Sequence, residues 1–101
     1  PILVDMAETG VDSISISDKV DARQAKELVS GKAKITGNIS TTVTLLLKGP
    51  GDVREDCRAA INAGVDILAP SCGIAPVTPN KNIRALVEAA RTHPSPPAGA
   101  P

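Results

Sequence analysis

Three short runs with strand-like patterning, Ser13-Ile14-Ser15-Ile16-Ser17, Ala33-Lys34-Ile35-Thr36-Gly37 and Val65-Asp66-Ile67-Leu68-Ala69-Pro70, are separated and followed by stretches with helical spacing. Strands spaced by helix-length segments need crossover connections, and crossovers make the pairing parallel. The predicted order is α, β, α, β, α, β, α, an α/β chain. Two architectures share that order, a part of a doubly wound sheet and a part of a (β/α)8 barrel; closing a barrel takes eight strands and about 250 residues. In both, functional side chains gather where the strands end, because the loops there converge on one face. That rule selects Ser17-Asp18-Lys19, Gly37-Asn38-Ile39-Ser40 and Pro70-Ser71-Cys72-Gly73.

The helices carry their own boundary signals. Gly10 caps a first helix over Pro1 to Thr9. Asp21 is placed to accept from free backbone N–H groups at the start of a second, with Gln24 three residues on, Ala22, Ala25, Leu28 and Val29 on one face and Gly31 as the stop. The third has Gly49 at the cap, Pro50 in the first position and Asp52 in the first turn, with Val53, Cys57, Ala60 and Ile61 on one stripe and Gly64 at the end. A shorter helical turn around Thr42 to Leu47 precedes it. The fourth opens with Thr78-Pro79 and sets Ile83, Leu86, Val87 and Ala90 at helical spacing. From His93 the composition turns to Pro, Ala, Gly and Ser, so 1–92 is read as the folded part and 93–101 as a disordered tail.

The 101 residues include no Phe, Tyr or Trp, so the core has to be aliphatic. Aromatic side chains bury about 150–250 Å² each, and a chain without them reads as a piece of a larger fold rather than a self-sufficient one. Eleven basic residues balance eleven acidic ones. With neither basic block nor stacking side chains, nucleic acid and anionic membrane surfaces are poor partners. The longest aliphatic run, Leu45 to Leu47, falls far short of the roughly 20 residues that span a bilayer, and a cytoplasmic setting is expected. Two cysteines 15 apart make no secreted disulfide framework and are read as reduced thiols.

Each strand end offers one candidate side chain. Cys72, between Ser71 and Gly73, reads either as a small turn residue or as a thiol facing a shared mouth, where a thiolate acts as nucleophile or metal ligand. Asn38 is either a turn residue or an amide for a bound polar group. Asp18 is either a helix cap or a carboxylate for a metal or a basic neighbour. Cys57, on the third helix's apolar stripe, is a core thiol. Thr78, Pro79 and Asn82 read as helix-start chemistry. Gly49-Pro50-Gly51 lacks the following Gly-Lys-Ser/Thr of a phosphate loop, and no HExxH, CxxC or GxSxG is present.

Several segments together resemble a known family: Met6-Ala7-Glu8-Thr9-Gly10-Val11-Asp12-Ser13-Ile14-Ser15, Gly37-Asn38-Ile39, Thr44-Leu45-Leu46, Gly49-Pro50, Ala63 to Ile74, and Thr78-Pro79 with Asn82-Ile83. Their order and spacing are similar to the C-terminal part of the uroporphyrinogen decarboxylase superfamily and, more narrowly, to its methylcobamide:coenzyme M methyltransferase branch. The resemblance implies the C-terminal three β-α units of a (β/α)8 TIM barrel. It also implies that Cys72 is a zinc ligand, standing where decarboxylases of the superfamily have the His of Gly-His-Gly, with the other protein ligands in a His-x-Cys motif upstream of Pro1. Asn38 would orient substrate or solvent at the barrel mouth, and Asp18 would be a carboxylate near the metal. Ser71 for the usual Gly, Ser40 for a frequent acidic residue and Lys81 for Glu depart from the pattern, the last removing a capping-box partner.

The activity so implied is transfer of a methyl group from a methylcorrinoid protein to a small thiol such as coenzyme M, with zinc as cofactor in the parent protein; the isolated chain, holding one ligand of three, is expected to be inactive. Two alternatives stand beside it: a decarboxylase of a tetrapyrrole, which Cys72 disfavours, and a non-catalytic structural fragment that self-associates through exposed strand edges.

Overall fold

The structure, a computed structural model, describes residues 2–92; the tail read at 93–101, with His93, lies outside the described residues. Four α-helices and three strands alternate along it: α1 (Ile2–Glu8), β1 (Ser13–Ser15), α2 (Ala22–Val29), β2 (Lys34–Ile39), α3 (Pro50–Ala63), β3 (Ile67–Pro70) and α4 (Asn80–Thr92), with a π-helical segment, Thr41–Leu46, between β2 and α3. The strands pair in parallel in the order β1-β2-β3, with Ser15 opposite Thr36 and Thr36 opposite Ile67. Because the spatial order follows the chain without reversal, right-handed crossovers place the intervening helices on one face of the sheet. That is the singly wound arrangement of a barrel wall and not the doubly wound alternative.

The helix termini follow the side chains that begin and end them. Asp21 accepts from the N–H of Arg23 at 2.9 Å and of Gln24 at 3.2 Å, and so caps α2. At the other end Ser30 (φ 51°) takes the left-handed cap ahead of Gly31. Pro50 opens α3, the Asp52 carboxylate accepts from the Gly49 N–H at 3.4 Å, and Gly64 closes the helix at φ 116°. A Cβ on Gly64 would lie 2.9 Å from Lys26 Cγ, so glycine here also permits α2 to approach the α3–β3 turn.

Alternation sorts the sheet into two faces. Ile14, Ile16, Ile35 and Ile39 are buried with Ala25, Val29, Leu45, Val53, Cys57 and Ala85, an aliphatic core as the composition requires. The intervening positions stay open: Ser15 is exposed and Ile67 is 47% exposed. Below the sheet, Asp66 accepts from the Ile35 N–H at 2.9 Å and from Lys26 Nζ at 2.6 Å, tying β2, β3 and α2 together. Burial pushes the Asp66 carboxyl up, but the Lys26 and Ile35 hydrogen bonds and the charges of Lys26 and Lys34 outweigh it and hold the group below the usual carboxylate range.

Three local expectations are corrected. β2 runs two residues further than its alternation predicted, which places Asn38 inside the strand opposite Ala69. The buried residues of α4 are Asn82, Ala85 and Leu86, whereas Val87 is 43% exposed, so the packed stripe is rotated from the Ile83-Leu86-Val87-Ala90 reading. A polar residue at the stripe's first position disguised it. Leu28, assigned to the buried face of α2, is likewise exposed.

Candidate functional site

The three strand ends selected from the sequence meet at one rim and are joined by hydrogen bonds. Ser71, just past β3, donates its N–H to the Ile39 carbonyl of β2 at 2.9 Å and its hydroxyl to Asp18 Oδ1, beyond β1, at 3.1 Å. Asn38, near the end of β2, donates through Nδ2 to the carbonyls of Ser17 and Val20, both at 3.0 Å. The loop held by those bonds is closed on itself by Val20 N–H to Ser17 O at 3.1 Å and Lys19 N–H to Ser17 Oγ at 3.1 Å. Gly37 makes the crossing possible. Its φ of 137° suits glycine, and a Cβ there would stand 3.0 Å from the Ile16 carbonyl oxygen.

Asn38 therefore has an engagement that its sequence context did not reveal. Both amide hydrogens point to main-chain carbonyls of the β1–α2 loop, which leaves its carbonyl oxygen as the group free of those two bonds. Asp18 is exposed and stands on the loop that Asn38 holds.

Cys72 follows Ser71 on the same rim and is an exposed free thiol, whereas Cys57 is a buried one. Burial, with a smaller contribution from the neighbouring Asp56 carboxylate, pushes the Cys57 thiol up to about 11, so it stays protonated and inert in the core. Among the described residues no three His, Cys, Asp or Glu side chains are grouped as a metal ion requires. The exposed Cys72 thiol is by chemistry able to serve as one donor to a soft or borderline metal ion, and the described residues by themselves do not complete a ligand set.

Beside the rim, a cavity of about 420 Å³ is lined by Asp18, Asn38, Ser40, Thr44 and Asp56 over a floor of alanines that includes Ala60. Asp56 accepts from Thr44 Oγ1 at 2.7 Å and pairs with Lys48 at 3.4 Å. Cys72 is not one of its walls, although Asp18, which is, bonds to the adjacent Ser71.

A family profile described as uroporphyrinogen decarboxylase (URO-D) matches residues 1–93. The chain belongs to the URO-D family. Within it the chain is 46% identical over 90 residues to "Methylcobamide:CoM methyltransferase MtaA" of Methanosarcina barkeri, and that alignment covers 87% of this chain and 26% of the relative. It is 36% identical to "Methylcobamide:CoM methyltransferase MtbA" of Methanosarcina acetivorans, over 87% of this chain and 26% of that protein. It is 33% identical to "Uroporphyrinogen decarboxylase" of Paraburkholderia phytofirmans, over 90% of this chain and 25% of that protein. A solved structure, a methyltransferase from Methanosarcina mazei, superposes with a TM-score of 0.84 at 40% identity, covering 90% of this chain and 27% of its own. This URO-D chain therefore spans about a quarter of the length of these relatives, and its parallel α/β units are those of the methyltransferase fold.

The roles of two residues of this URO-D chain were not legible in the sequence. Ser71 lies in a strand-end segment that the sequence selects, but its partner Asp18 is 53 positions away, beyond any local pattern. Asn82, read as helix-start chemistry, is completely buried and donates through Nδ2 to the carbonyls of Leu45 at 2.8 Å and Lys48 at 2.7 Å, which fixes the start of α4 against the end of the π-helical segment.

Proposed function

We propose that the full-length protein containing this chain is a zinc-dependent methyltransferase that moves a methyl group from a methylcorrinoid protein to a small thiol such as coenzyme M, working in the cytoplasm. The observation that carries this reading is an exposed cysteine on the C-terminal rim of the parallel strands, in a chain 46% identical to a methylcobamide:CoM methyltransferase and 33% identical to a uroporphyrinogen decarboxylase. Cys72 contributes one thiolate donor; the remaining ligands come from parts of the protein beyond the described residues. Bound zinc supplies the Lewis acidity that makes a substrate thiol nucleophilic near neutral pH. The thiol sulfur attacks the methyl carbon, the cobalt–carbon bond breaks with its electron pair left on the corrinoid, and the thiol proton is released. Docking of the corrinoid protein over the strand ends brings the two reactants within reach, a gain in proximity that needs no further protein group. No helix among the described residues is long and apolar enough to cross a membrane, which accords with that setting.

The test is Cys72→Ala in the full-length protein. Zinc content and methyl transfer to the thiol are expected to fall together; stoichiometric zinc with normal turnover would refute the reading. A decarboxylase reading draws on the family and on the Paraburkholderia relative, and conversion of a tetrapyrrole substrate by the same Cys72→Ala protein at the wild-type rate would favour it.

A further inference from the structure

The polar atoms of Asn38 and Asp18 that have partners at the rim are all turned to the protein itself. The amide hydrogens of Asn38 are engaged by the Ser17 and Val20 carbonyls, and Asp18 Oδ1 accepts from the Ser71 hydroxyl. These bonds form one chain of contacts. Asn38 pins the loop over residues 17–20, the loop presents Asp18, and Asp18 reaches across β2 to Ser71, whose N–H is already fixed on Ile39 O. The next residue is Cys72, followed by Gly73, beside which a Cβ would meet nothing within 4 Å. The turn that carries the thiol is therefore restrained on its Ser71 side by two strands and open on its Gly73 side.

We propose that Asn38 and Asp18 are positioning residues: through the 17–20 loop and the Ser71 hydroxyl they fix the turn bearing Cys72 relative to β1 and β2, and neither touches the reacting atoms. The proposal rests on the reading of Cys72 as a metal donor. A donor held in one geometry binds a metal more tightly than one that must be ordered on binding, and losing such orienting partners weakens metal affinity about 10–100-fold. The Asp18–Ser71 bond needs an acceptor oxygen and not a charge, so an amide at position 18 should serve nearly as well as the carboxylate.

The experiment uses the full-length protein with Co²⁺ in place of zinc, reading the thiolate-to-cobalt absorption band and the dissociation constant by competition with a chromogenic chelator. Asp18→Ala, Ser71→Ala and Asn38→Ala should each weaken Co²⁺ binding about tenfold. The Asp18→Ala/Ser71→Ala double variant should lose no more than either single variant, because the two remove the same bond. Asp18→Asn should retain the band and most of the affinity. Far-UV circular dichroism confirms that each variant is folded. Wild-type affinity in Asp18→Ala and Ser71→Ala would overturn the proposal, as would losses that multiply in the double variant or an Asp18→Asn protein as weak as Asp18→Ala. Cys72→Ser distinguishes the two levels: a fall in the band's intensity to what the upstream cysteine alone gives upholds the donor reading whatever the other variants do, and an unchanged intensity overturns that reading together with the proposal.

Discussion

Asn82 offers the sharpest test of how the start of α4 is held. The side chain is fully buried, and its amide nitrogen supplies donors to the Leu45 and Lys48 carbonyls. Asn82→Ala removes both. Leaving the buried Leu45 carbonyl unpaired costs about 1–3 kcal/mol and losing the part-buried bond to Lys48 about 0.5–1.5, a total of about 1.5–4.5 kcal/mol. Against a domain stability of about 5–15 kcal/mol that is a large fraction. Asn82→Asp adds a pH signature. The new carboxyl is fully buried and faces two carbonyl oxygens, so burial raises its folded pKa above the unfolded value of about 3.9. The folded state then holds its proton more tightly than the unfolded state. Measured against wild type at the same pH, this variant is most stable below about pH 4, where a neutral carboxyl still donates one hydrogen bond, and loses ground as pH rises towards the folded pKa. Urea unfolding from pH 4 to 8, followed by circular dichroism, reads both effects. A loss below about 1 kcal/mol for Asn82→Ala, inside the range of an ordinary surface change, would refute the reasoning; so would a constant difference between Asn82→Asp and wild type across that range.

Gly37→Ala should destabilise by at least about 1–3 kcal/mol in the same assay, because a non-glycine residue would be strained at a φ of 137° and its Cβ would press on Ile16 O; a neutral effect would mean that the two strands separate freely there. The Asp66 carboxyl is held below its ordinary range, so its contribution is present above the unfolded value of about 3.9 and is lost as pH falls through the lower folded value. Asp66→Asn should flatten that acid limb of the stability curve, and an unchanged limb would show that the Lys26 and Ile35 contacts carry no linkage. In metal-free native protein, iodoacetamide at pH 8 should label Cys72 and spare Cys57, whose thiol is buried and pushed up to about 11; equal labelling by peptide mapping would contradict the burial of Cys57.

Much of the architecture is legible in local patterning. The alternation at Ser13–Ser15, the Asp21 cap, the Gly49-Pro50-Asp52 start and the Gly64 stop are each decided by residues within a few positions of one another, and each forms where the patterning puts it. The strand-end rule likewise selects Asp18, Asn38 and Cys72, since parallel strands joined by helices bring their C-terminal loops to one side. The lone cysteines could also be told apart from spacing alone: one lies on the apolar stripe of a helix and the other in a turn.

Other features exist only once the chain has folded. Asp18 meets Ser71 across 53 positions, Asn38 turns its amide to the β1–α2 loop, and Asn82 donates to the Leu45 and Lys48 carbonyls. A polar side chain states which donors and acceptors it carries and says nothing of the partner it will find. That is settled by which backbone groups the packed core leaves unpaired, because a buried carbonyl without a donor costs more than the ordering of one asparagine to reach it. Periodicity thus determined the strands, the helices and the end of the sheet at which they open, and long-range packing decided which side chains at that end hold one another in place.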